Sequence, residues 1–123
     1  MKRSAALQPL SREHHAALKL AKACERAAAS GDAVQVVETC RRVGDAFASE
    51  LEPHFQFEER ELLPAAPGEL AERTLADHAR LRELAGILRQ HSDAATLRGF
   101  GDCLVSHVRF EERELFPVIE KSL

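Results

Sequence analysis

The chain has no tryptophan and no tyrosine, and its whole aromatic content is six phenylalanines. Isoleucine is scarce as well. Strands are enriched in these missing types, so a β-sheet fold is disfavoured. Without tyrosine there is also no tyrosyl radical partner, and the near-ultraviolet absorbance of the protein is weak. No apolar run approaches the roughly 18–20 residues needed to span a bilayer. Residues 1–10 carry two basic side chains but no apolar stretch of the kind a signal peptide needs. The net charge of −3 is spread over interspersed opposite charges. No basic block or stripe invites nucleic acid or an anionic membrane surface. Three cysteines, Cys24, Cys40 and Cys103, are an odd number without C-x-x-C spacing. They fit a reducing cytoplasm better than a disulfide scaffold, and read as small core residues. Cys24 and Cys40 flank the first turn at similar distances, which leaves a redox pair between them conceivable.

What is present favours helix. Hydrophobic residues make up 45% and charged residues 30%, as in soluble globular proteins. A chain of 123 residues forms one domain, 1–123, able to bury its own core. Residues 1–10 read as an irregular lead-in ended by Pro9. Ser11 caps a first helix that runs to about Ala29, and Ser30-Gly31-Asp32 makes the turn. A second helix runs from about Ala33 to Leu63 and stops at Pro64, with a kink expected where Pro53 precedes His54. A third covers about Glu69 to Gln90. The fourth, capped by Ser92 or Asp93, covers about Ala94 to Phe116, and 118–123 can add a turn. Gly99 and Gly101 near its start allow close packing. Four helices with short connections predict an all-α, up-down-up-down antiparallel four-helix bundle.

One phrase is written twice: His54-Phe-Gln-Phe-Glu-Glu-Arg-Glu-Leu-Leu-Pro64 and His107-Val-Arg-Phe-Glu-Glu-Arg-Glu-Leu-Phe-Pro117. The match extends upstream through Phe47 and Leu51 to Phe100 and Leu104, which marks a duplicated helical hairpin. Helical spacing puts His54 with Glu58, and His107 with Glu111, on one face one turn apart. At about 100° per residue, Val43, Phe47, Leu51, Glu58 and Glu61 fall within roughly 60° of His54, while Glu59 lies about 140° away. Phe100, Cys103, Leu104, Glu111 and Glu114 share the face of His107, and Glu112 does not. Carboxylates in the middle of an apolar stripe need a counter-charge, and no cation shares these faces. Helix three adds His78, set against Leu81, Leu84, Ala85 and Leu88. On helix one, His14 stands likewise to Ala17, Leu18, Ala21 and Cys24, whereas His15 falls on the polar face. Imidazole and carboxylate without thiolate suit iron and manganese, and also zinc. Asp77 and Glu13 are candidate acceptors for histidine N–H groups. Glu59, Arg60, Glu112 and Arg113 read as a surface ion-pair lattice, and Glu61 and Glu114 as solvated at the bundle end.

His14, His54-x-x-x-Glu58, His78 and His107-x-x-x-Glu111 together resemble the hemerythrin-like, or HHE cation-binding, family over the whole chain. Ferritin-like bundles carry Glu-x-x-His instead. The resemblance implies a bundle holding two iron ions bridged by carboxylates and an oxo group, with those six residues as ligands. It departs at two points from the oxygen-carrying hemerythrins. They have a second histidine four residues after the helix-three histidine, where this chain has Arg82. They also use an aspartate five residues after the last histidine, where here Glu111 at four is the match. His15 and Arg82 stay open as further contacts. The function implied is binding, sensing, storage or detoxification of a small diatomic ligand, oxygen or nitric oxide. The alternatives are a di-iron enzyme acting on peroxide, nitric oxide or oxygen, and an iron-responsive interaction module. The expected state is a cytoplasmic monomer or weak homodimer, with no nucleic-acid or membrane partner.

Overall fold

The computed structural model describes residues 3–123. It is the expected four-helix bundle, with no strand among the described residues. We number four rods: α1 (Gln8–Ala29), α2 (33–62), α3 (Gly68–Gln90) and α4 (94–121). Each rod packs on its two neighbours in the order α1, α2, α3, α4 and back to α1. No helix among the described residues is long and apolar enough to cross a membrane.

The caps follow the sequence at three turns. Gly31 takes a positive φ of 68°, which glycine adopts without the Cβ penalty. Asp32 then accepts from the Val34 and Gln35 amides, and Asp93, not Ser92, accepts from Thr96. At the N-terminus the expectation fails. Pro9 does not end a lead-in; it sits in the first turn of α1, where its missing N–H costs nothing. The helix therefore starts at Gln8, and Ser11 is not its cap. The Ser11 hydroxyl is left to donate to Glu112 of α4 at 2.8 Å. Residues 1 and 2 of the expected lead-in lie outside the described residues.

Neither α2 nor α4 is uniformly α-helical. π-turns occupy Phe47–Leu51, Glu58–Leu62 and Glu111–Leu115. Two residues after each comes a proline: Pro53, Pro64 and Pro117. A proline ring clashes with the carbonyl four residues back. In each case the residue before the proline donates to the carbonyl five back: Glu52 to Phe47, Leu63 to Glu58, Phe116 to Glu111. The wider turn accommodates the ring, so the kink expected at Pro53 takes the form of a π-turn. Pro64 ends α2 as expected, through a short 3₁₀ turn at Leu63–Ala65. Pro117 does not end α4, which continues to Lys121.

Two apolar clusters divide the interior. The larger runs along the bundle through Leu20, Val43, Phe55, Leu81, Phe100 and Leu104. The smaller, with Leu7, Leu10, Leu62, Leu63, Phe116 and Ile119, closes the end that holds the α2–α3 turn and both termini. The three cysteines are free, with Cys24 and Cys40 buried. Burial pushes the Cys24 thiol up to about 12, so it is inert at neutral pH. A Cβ on Gly101 would meet the Ala21 carbonyl oxygen and the Cys24 Cβ, each at 3.1 Å. That position therefore does permit close packing, of α4 on α1. A Cβ on Gly99 would meet nothing within 4 Å beyond its own helix, so that position does not.

Candidate metal centre

His14, His54, Glu58, His78, His107 and Glu111 meet between the two apolar clusters, all buried, the two carboxylates at 0% exposure. Each rod contributes one histidine, and α2 and α4 each add a glutamate from the opening residue of a π-turn. His15 is exposed and takes no part.

The two carboxylates each address two histidine pairs. Glu58 sends Oε2 to His54 Nε2 at 3.1 Å and Oε1 to His78 Nε2 at 3.1 Å. Glu111 sends Oε1 to His14 Nε2 at 2.8 Å and Oε2 to His107 Nε2 at 3.2 Å. The six side chains thus form two overlapping groups. One is His14, His54, Glu58 and Glu111; the other is Glu58, His78, His107 and Glu111. Within each group the donor atoms lie within 4.8 Å of one another, close enough to share a metal ion.

The chemistry of these donors asks for a cation. No lysine or arginine pairs with Glu58 or Glu111 among the described residues. His107 Nε2 and Glu111 Oε2, although only 3.2 Å apart, have no hydrogen-bond partner. A buried, unsatisfied nitrogen beside a buried, unsatisfied carboxylate oxygen is costly unless an ion joins them. Without a metal, protons take that role. Burial lowers His54, but the Glu111 and Glu58 carboxylates outweigh it and hold the imidazole up at about 11. His107 is likewise raised, to about 9, against burial and chiefly by the Glu111 charge. Burial and the neighbouring Glu111 charge push Glu58 up. Glu111 stays well below the usual carboxylate range because His107, His14 and His54 overcome its burial.

The hemerythrin HHE cation-binding domain model matches residues 5–119. The chain belongs to that family. No curated protein and no solved structure matches it.

Around the six residues of this hemerythrin HHE domain lies a second ring of carboxylates. Each histidine gives its Nδ1–H to a carboxylate of the preceding rod, and the ring closes on itself. Glu13 of α1 accepts from His54 at 2.7 Å, and Glu59 of α2 from His78 at 2.7 Å. Asp77 of α3 accepts from His107 at 2.9 Å, and Glu112 of α4 from His14 at 2.6 Å. A carboxylate anion can only accept, so each Nδ1 carries a proton, and the Nε2 atoms turned inward are those that would offer a lone pair to a metal. The hydrogen bonds of His14, Ser11 and Arg3 bring Glu112 down to about 2, against its burial. Phenylalanine faces fix two of the rings: Phe116 stacks on His14 at 5.2 Å and Phe55 on His78 at 4.0 Å.

Asp77 and Glu13 thus accept histidine N–H groups as expected, each from the histidine of the next rod. Glu59 and Glu112 correct the expectation of a surface lattice. The helical wheel assumes 3.6 residues per turn, and the π-turns that begin at Glu58 and Glu111 shorten the angular step. The second glutamate of each doublet then reaches sideways to the neighbouring histidine. The same slip leaves Glu61 and Glu114 exposed. A signal was available: all four outer carboxylates are direct sequence neighbours of an inner residue.

Arg82 does not reach the inner group. It donates to Glu52 at 2.7 Å and to Glu59 at 2.9 Å, and so braces the acceptor of His78. Arg73 does the same for Asp77 at 3.1 Å, and Arg3 for Glu112 at 3.1 Å. Glu13 pairs with no lysine or arginine among the described residues, and its side chain is 55% exposed, against 26%, 18% and 29% for Glu59, Asp77 and Glu112.

Proposed function

We propose that this hemerythrin HHE domain holds two iron ions and uses them to bind a small diatomic ligand, oxygen or nitric oxide. One observation carries the reading: Glu58 and Glu111 each direct one oxygen to the His14/His54 pair and the other to the His78/His107 pair. Carboxylates placed in this way can bridge two cations and offset their repulsion. The nitrogen and oxygen donors suit iron, and manganese or zinc fit the same set. A pair of iron ions supplies exchangeable coordination positions and a redox couple to a diatomic ligand.

The residues around it have separable tasks. The six inner side chains provide the donors. The four outer carboxylates fix the tautomer and aim of each imidazole and raise its basicity as a donor. Phe55 and Phe116 cover one face each of the His78 and His14 rings, and the lower local dielectric there strengthens each charge interaction. Four histidines leave one metal position less saturated than five would, since Arg82 is turned outward onto Glu52 and Glu59. This favours sensing, storage or detoxification in the cytoplasm over simple reversible oxygen carriage.

The test is expression with added iron, aerobic purification, metal analysis and a visible spectrum before and after nitric oxide. The reading expects about two irons per chain and a nitric oxide-sensitive band, with the folded state stabilised by the metal. Less than one iron per chain, or a spectrum indifferent to the gas, would overturn it.

A further inference from the structure

Beside the centre, the two halves of the bundle differ. His14, Ala17, Leu20 and Ala21 on α1 correspond in spacing to His78, Leu81, Leu84 and Ala85 on α3. Ala17 therefore stands where the other half has Leu81, which is fully buried. On α2, Pro53 precedes His54, and the π-turn at Phe47–Leu51 widens the rod just before it. On α4, Ser106 precedes His107, and the helix is regular from Ala94 to Phe110. Close packing at Gly101 draws α1 toward α4. Between α1 and α2 lies a cavity of about 460 Å³.

Its floor reaches His14, His54 and His107. Its walls are apolar and buried: Ala17, Leu20, Leu51, Phe55, Leu104 and Val108. Its rim sets Arg12 against Glu13 and Glu50. An apolar cavity of roughly 150 Å³ already holds benzene, and a water molecule takes about 30 Å³. A diatomic ligand would leave most of this space without contacts. The acidic balance of the rim disfavours an anion, and the apolar walls disfavour any charge.

We propose that the cavity binds a neutral organic molecule of about ten non-hydrogen atoms, its apolar body on these walls and a single oxygen head toward His14, His54 and His107. The proposal rests on the di-metal reading only for what the head meets; the walls hold the body in either case.

The probe is 2-phenyl-2-propanol, titrated into the full chain loaded with zinc, which is diamagnetic, and followed by methyl NMR. Saturable shifts are expected at Ala17, Leu20, Leu51, Leu104 and Val108, with Kd below about 1 mM. Ala17→Leu, which copies the other half, weakens binding at least about tenfold. Leu20→Phe fills the cavity from a second position and does the same. Metal content, and the response of the iron form to nitric oxide, stay unchanged in both variants. No saturable shift in the unaltered chain, or unaltered affinity in a folded variant, would overturn the proposal. Metal analysis of the same samples separates the two readings: a chain without metal fails the di-metal reading, and a loaded chain without shifts fails only this one.

Discussion

The two copies of the repeated phrase deliver the same two side chains to the centre, yet their surroundings differ. His107 is 1% exposed at its side chain, and its acceptor Asp77 is braced by Arg73. Its pseudo-symmetric partner His54 reaches the cavity floor as His107 does, but its acceptor Glu13 is half exposed and has no arginine brace among the described residues. The partners of these histidines differ in the same sense. His78 and His14 are each stacked on a phenylalanine and held through an arginine-braced acceptor, but only His14 lines the cavity. A duplicated sequence thus produces two halves of unequal access: both histidines of the His14/His54 pair reach the cavity, and only His107 of the other pair does. The difference comes from single residues outside the repeat: Ala17 against Leu81, Pro53 against Ser106, and the arginines that brace three of four outer carboxylates.

The largest expected effect removes the comparison altogether. Glu58 and Glu111 serve both histidine pairs, so Glu58→Ala or Glu111→Ala empties both positions, and metal analysis should find close to none. Without metal, the same changes leave the buried Nε2 atoms of two histidines without their nearest inner carboxylate, a loss of up to about 3–5 kcal/mol in denaturant unfolding. Histidine replacements divide the halves instead. His78→Ala and His14→Ala should each reduce the content to about one metal per chain, the remaining ion held by the other pair.

The pH dependence of the metal-free chain comes next. His54 at about 11 and His107 at about 9 are raised above the unfolded value of about 6.5. Their contribution is fully present below about pH 6.5 and is lost as pH rises through 9 and then 11. Melting temperature of the metal-free chain should therefore fall between pH 7 and about 10. The metal-loaded chain should show little of this fall, because the ion replaces the protons. Loading at pH 7 in weak buffer should also release protons, and a pH indicator would register them.

The outer ring gives smaller and unequal effects. Loss of an outer carboxylate costs about 10–100-fold in metal affinity in comparable sites. Glu59→Ala should approach that range, and Arg82→Ala, which acts through Glu59, should fall short of it. Competition with a chelator measures both. Equal losses from Arg82→Ala and Arg60→Ala would contradict the brace, since Arg60 pairs with exposed Glu61 and with none of the outer carboxylates among the described residues.

Much of this was legible in the sequence. The duplicated phrase carries the bundle topology, and helical spacing singles out all six inner residues, including His14 over His15. The start of α1 is not legible, because Pro9 is compatible with a first turn as well as with a break. Glu59 and Glu112 were placed on the outer surface because a wheel of constant pitch does not foresee the π-turns at Glu58 and Glu111. The prolines six residues after the start of each π-turn were visible, but only as helix breakers. The cavity depends on side-chain sizes compared across rods, which no single helix pattern contains.

Anomalous diffraction from crystals of the iron-loaded chain tests the central claim most directly. The account predicts two metal peaks, one beside His14 and His54 and one beside His78 and His107, with Glu58 and Glu111 between them. A single peak, or none at these six residues in a chain carrying stoichiometric iron, would contradict it.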